Sequence, residues 1–140
     1  MGSDNKSDSL PGILILTHGF FGEELIRSAA MIYGDLDGVV AVPLRPDDDP
    51  EEYRQRVKEK LDALPEGSLV MVDLLGGTPS NSIMRLVRDS GVCVLSGASM
   101  PMLIEAATLR SAHLGRELLE LVVEKGHDGI VNITQLLEGA

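Results

Sequence analysis

The chain has 140 residues, 44% of them apolar, which suits one ordinary domain with its own core and argues against disorder along its whole length. Twenty-two acidic against 12 basic residues leave a net charge of −10, a balance that repels phosphate backbones and speaks against nucleic acid as a partner. No apolar run approaches the roughly 20 residues of a bilayer crossing, and the single cysteine, Cys93, cannot close a disulfide within the chain, so a soluble cytoplasmic protein is expected.

Residues 1–9, MGSDNKSDS, hold nothing to bury and read as a flexible lead-in, with one domain following over 10–140. The run Gly12 to Thr17 is apolar without alternation, the pattern of a strand covered on both faces. It stops at His18-Gly19, and Gly22 to Tyr33 then shows helical spacing, closed by Gly34. Val39 to Leu44 is a second strand. Asp47-Asp48-Asp49-Pro50-Glu51-Glu52 is a helix start, because carboxylates and an early proline suit the positive end of a helix without any metal ion. Leu69 to Leu74 is a third strand, and Thr78-Pro79 opens a helix to about Asp89. Val92 to Leu95 is a fourth strand. Met100-Pro101 opens another helix, Leu114 to Lys125 forms a further one closed by Gly126, and Gly129 to Ile133 reads as a short last strand. Alternating strands and helices with strands buried on both faces predict an α/β, doubly wound, mostly parallel open sheet flanked by helices.

In such a sheet, ligands gather at the carboxyl ends of the strands. After the first strand stands Thr17-His18-Gly19-Phe20-Phe21-Gly22, and after the third Asp73-Leu74-Leu75-Gly76-Gly77-Thr78-Pro79-Ser80-Asn81. Ser96 to Pro101 follows the fourth. An imidazole with one nitrogen held is a good nucleophile near neutral pH, and Asp73 is the group that could hold it. Gly76-Gly77 before Thr78 presents backbone N–H groups at a helix start, a cradle for an anion, with the Thr78 and Ser80 hydroxyls as further donors. Alone, such a turn is an ordinary strand-to-helix connection; together with His18 and Asp73 it becomes a candidate phosphoryl site. Gly19 and Gly77-Thr78 are expected to turn their N–H groups to the phosphoryl oxygens. Phe20 and Phe21 offer an apolar rim for docking or a pair of buried side chains. His113 and His127 lack metal-ligand spacing, so no metal is expected. Neither G-x-G-x-x-G, a Walker loop nor G-x-S-x-G is present, and no cofactor is expected.

The blocks Gly12 to Gly19, Val72 to Asn81 and Ser96 to Leu103, in this order, resemble the mannose-type enzyme IIA domain of the bacterial phosphoenolpyruvate:sugar phosphotransferase system (PTS) over about Leu10 to Ile133. The resemblance implies that His18 accepts a phosphoryl group from the histidine phosphocarrier protein HPr and passes it to a IIB component. The membrane components IIC and IID then take part indirectly. It also implies that Asp73 orients His18, that Thr78 contacts the phosphoryl group, and that two chains pair as a homodimer by exchanging a C-terminal edge strand, here Gly129 to Ile133. Ser99 departs from the asparagine more usual in the third block. The phosphotransfer subunit of dihydroxyacetone kinase shares the fold but usually carries His-Ser and lacks the Gly-Gly-Thr-Pro turn. A regulatory, phosphorylation-dependent binding module of the same fold is the alternative reading, and the residues alone do not separate the two.

Overall fold

A computed structural model describes residues 10–139. The expected lead-in, residues 1–9, lies outside the described residues. Four strands, β1 (Ile13–His18), β2 (Val39–Leu44), β3 (Leu69–Val72) and β4 (Cys93–Leu95), form one sheet in the order β2-β1-β3-β4. Every pairing is parallel. Around them stand α1 (Phe21–Tyr33), α2 (Pro50–Asp62), α3 (Thr78–Leu86), α4 (Met100–Leu109), α5 (Gly115–Asp128) and α6 (Ile133–Glu138). This is the doubly wound α/β arrangement that the unbroken apolar runs predict.

The period-2 geometry of β1 explains its composition. Ile13 and Ile15 face one cluster with Leu25, Ala29, Leu103, Leu118 and Val122, from α1, α4 and α5. Leu14 and Leu16 face the other with Tyr53, Val57, Leu61 and Ile83, from α2 and α3. Each fully buried aliphatic side chain of this central strand contributes roughly 1.5–3 kcal/mol. The core is aliphatic except for Tyr53, whose hydroxyl donates to the Val42 carbonyl at 2.7 Å and so ties α2 to the end of β2. Burial holds the Tyr53 hydroxyl in its protonated form well above the ordinary phenol range.

Two helix starts follow from their sequence. The Asp49 carboxylate accepts from the N–H groups of Glu51 and Glu52 at 3.1 and 3.2 Å, with Pro50 in the first turn. Ser99, the departure from the family pattern, caps α4: its hydroxyl oxygen accepts from the Met102 N–H at 3.4 Å.

The C-terminal third differs from expectation in two places. Gly126 does not close a helix; α5 runs through it to Asp128. A Cβ there would lie 2.3 Å from Met102 Cε, so this glycine lets α5 approach α4. The segment expected as a last strand, Gly129 to Ile133, pairs with no strand among the described residues. Asn132 instead accepts from the Gln135 N–H at 2.9 Å and starts α6. A strand needs a neighbour to complete its backbone hydrogen bonds, and the segment makes none with the sheet among the described residues. Ile130, Val131, Ile133, Leu136 and Leu137 are left exposed. Two further boundaries shorten: β3 ends at Val72 and α3 at Leu86.

Candidate active site

From β1 the chain crosses to β2 on one side through α1, then returns past β1 to β3 through α2. The order of the strands reverses between β1 and β3, where flanking connections part and leave a crevice at the carboxyl ends. His18 is the last residue of β1, and Asp73 is the first residue beyond β3. Pairing fixes both: His18 is in register with Leu44 of β2, and the Asp73 N–H donates to the Leu16 carbonyl at 3.2 Å.

A single carboxylate oxygen then sets the histidine. Asp73 Oδ2 accepts from the His18 backbone N–H at 2.9 Å and lies 3.0 Å from ring Nδ1. An ionised carboxylate only accepts, so the ring proton is assigned to Nδ1 and the lone pair to Nε2. The second oxygen, Oδ1, is buried and has no hydrogen-bond partner among the described residues. The ring itself is 48% exposed and its aspartate partner 14%.

Nε2 faces the glycine turn. A Cβ on Gly77 would stand 3.2 Å from Nε2 and 3.1 Å from Cε1, and Gly77 has a φ of +91°. Glycine is required there twice, for the left-handed backbone and for the free edge of the ring. Gly76 has the same φ with open space beside it. Gly77 occupies the N-cap position of α3, and Thr78 is the first helical residue and not the cap. No side chain caps this helix, and Pro79 has no N–H. The amides of Thr78 and Ser80 have no backbone partner among the described residues, the open donors of a helix start.

An open cup of ≈ 430 Å³ lies over the ring, lined by His18, Gly19, Leu44, Arg45, Pro46, Asp48 and Thr78. The fold thus gathers His18, Gly19, Asp73, Gly77 and Thr78, as the loops at one sheet end suggest. Two expected roles change. The Gly19 N–H donates to the Leu44 carbonyl at 2.7 Å, so it is not available to phosphoryl oxygens. Ser80 is 1% exposed, and its hydroxyl points along α3 to Met84 Sδ at 3.5 Å, away from the cup. Phe20 and Phe21 are exposed, and so are Leu74 and Leu75 next to Asp73. His113 pairs with Glu117 and lines no part of the cup.

Arg45 is the residue that sequence reasoning missed. It directly follows β2, at the same sheet end as His18, and the loop after that strand is the one whose residues were read only as a helix start. Its N–H donates to Asp48 Oδ2 at 2.7 Å. That backbone bond, then the Arg56 guanidinium at 2.8 Å, holds the Asp48 carboxyl below its ordinary range. Among the described residues, no group of three His, Cys, Asp or Glu side chains is placed to hold a metal ion.

Comparison with known proteins follows the same residues. The family model EIIA-man, described as PTS system fructose IIA component, matches residues 12–123. The chain belongs to the EIIA-man family. It is 33% identical over 122 residues, 84% of its length, to the PTS system mannose-specific EIIAB component of Escherichia coli K12, of which it spans 38%. It is 29% identical over 110 residues to the PTS system fructose-specific EIIA component of Bacillus subtilis, covering 76% of this chain and 75% of that one. Among solved structures, phosphotransferase system component EIIA from Streptococcus agalactiae superposes with a TM-score of 0.83 at 30% identity, over 89% of this chain and 98% of the other. The mannose/sorbose-specific IIA subunit from Enterococcus faecalis gives 0.79 at 27% identity, over 87% and 93%. As an EIIA-man member, the chain is a sugar-PTS IIA component, and no described helix is long and apolar enough to cross a membrane.

Proposed function

We propose that this EIIA-man domain carries a phosphoryl group on Nε2 of His18, receiving it from HPr and delivering it to a IIB component for sugar uptake and phosphorylation. The observation that carries this reading is the 3.0 Å contact between Nδ1 and Asp73, which leaves Nε2 as the nucleophile at the open cup. In the transfer, the donor's P–N bond breaks as the bond from phosphorus to Nε2 forms. The Nδ1 proton stays on the ring, which gains positive charge, and Asp73 compensates that charge. The Thr78 hydroxyl and the amides of Thr78 and Ser80 receive the equatorial oxygens, with positioning and charge supplying the rate. Delivery to IIB is the same step in reverse. Phe20, Phe21, Leu74 and Leu75 form an apolar rim around this exchange point for the partner proteins.

The deciding experiment is intact mass after incubation with phosphoenolpyruvate, enzyme I and HPr, followed by peptide mapping. One phosphoryl group on His18 is expected. No gain with a working positive control, or a gain on another residue, overturns the assignment.

The exposed tail and the edge strand β4 belong to the same proposal. Val94, Leu95, Met102, Val123 and Ile130 line a groove of ≈ 450 Å³ beside β4, where the 129–133 segment of a second chain would complete the sheet edge. Sedimentation is expected to give a dimer for the wild type and a monomer for Ile130→Asp; a monomeric wild type rejects strand exchange.

A further inference from the structure

Among the described residues, Arg45 is the only lysine or arginine lining the His18 cup. The cup otherwise carries the wrong sign for its cargo. Asp73 stands behind the ring and Asp48 on the wall, while an arriving phosphoryl group brings close to two further negative charges. The Asp48 carboxylate is answered by Arg56 at 2.8 Å and by the Arg45 backbone N–H at 2.7 Å. The Asp73 carboxylate is answered by the His18 ring. The Arg45 guanidinium, in contrast, forms no ion pair among the described residues.

The backbone gives Arg45 a fixed origin. Leu44 is in register with His18, so Arg45 leaves the sheet one residue beyond the phosphoryl acceptor on the neighbouring strand. The Arg45 N–H bond to Asp48, together with Arg56, which also donates to the Pro43 carbonyl at 3.2 Å, holds that turn. A guanidinium suits the equatorial oxygens because its planar fork makes paired, charge-assisted hydrogen bonds to phosphate.

We infer that Arg45 is a phosphoryl-binding residue, its free guanidinium closing over the equatorial oxygens on His18 opposite the Thr78 turn. The inference rests on the proposal that His18 carries phosphate, and adds a residue to it. In the step, phosphorus leaves the donor nitrogen for Nε2, and Arg45 remains protonated throughout, forming hydrogen bonds without taking or giving a proton.

A small-molecule donor separates this role from protein docking. Potassium phosphoramidate transfers phosphoryl from its P–N bond to Nε2 and releases ammonia. Wild type, Arg45→Gln and Arg45→Lys are phosphorylated with it and followed by intact mass and by ³¹P NMR across pH. The expected result is an about tenfold slower gain in Arg45→Gln, with the midpoint of the phosphoryl titration moved upward because a cation that favours the dianion is gone. Arg45→Lys keeps the charge and recovers most of both. Arg45 is exposed, so circular dichroism should show all three equally folded. Equal rates and equal midpoints in wild type and Arg45→Gln overturn the inference while leaving His18 standing. A wild type that takes no phosphoryl group overturns both.

Discussion

A His18→Ala chain is expected to take no phosphoryl group from phosphorylated HPr while unfolding within about 1 kcal/mol of the wild type. The two halves of this result have separate causes. Loss of acceptance is complete because no other ring nitrogen among the described residues lines the cup, and the Thr78 hydroxyl is a weak nucleophile at neutral pH. The fold survives because the ring is half exposed and its hydrogen bond is to one carboxylate oxygen. That oxygen does not become an orphan, since the backbone N–H of residue 18 still donates to it at 2.9 Å. Intact mass measures the first half and urea unfolding the second. Phosphorylation of the alanine variant at any stoichiometric level would exclude His18 as the acceptor.

Asp73→Asn is expected to slow phosphoryl transfer to His18 by about 10²-fold or more. Asparagine matches the shape of the carboxylate but removes its charge. The Oδ2 atom serves two donors at once, the His18 N–H and ring Nδ1. An amide oxygen can accept from both, yet it offers no counter-charge when phosphorylation makes the ring positive. If the amide turns its NH₂ to Nδ1, the ring proton moves to Nε2 and the nucleophile is lost outright. Either placement slows the reaction. Rapid-quench single turnovers give the rate, and ¹⁵N shifts of the ring report which nitrogen holds the proton. Transfer within a factor of about two of wild type would remove Asp73 from the mechanism.

What could be read from the chain, and what could not, divides along a physical line. The four strands announce themselves because each is a short apolar run; β1 and β3, buried on both faces, are written without alternation, while the edge strands β2 and β4 are only partly covered. His18, Asp73 and the Gly76-Gly77 turn were legible because topology alone brings strand ends to one edge. Side-chain direction is not legible in that way. Ser80 and Thr78 look equivalent as hydroxyls, but two positions further along α3 Ser80 is buried and its hydroxyl donates along the helix to Met84. Gly19 looks like a free donor until the neighbouring strand claims its N–H. Gly126 looks like a helix stop, and only the Met102 side chain pressed against it shows that it is a packing notch. The 129–133 segment has strand-like residues, but a strand is a property of a pair, and within this chain the segment has no pairing partner among the described residues. Arg45 escaped because an isolated arginine after a strand carries no pattern.

The contact between His18 and Asp73 joins residues 55 positions apart in the chain. The β1–α1–β2 unit can close early, since its pairing is local, and it contains the acceptor histidine complete. It does not contain the carboxylate that fixes the ring's tautomer. Nε2 is left free to attack only after β3 has threaded in beside β1, the slow, non-local event of this topology. The arrangement that frees Nε2 therefore depends on the non-local β1–β3 pairing and is lost if β3 opens. On the proposed function, a fluctuation that detaches β3 would remove the Asp73 contact from His18 while β1 kept its pairing with β2, so phosphoryl acceptance would report an intact central sheet.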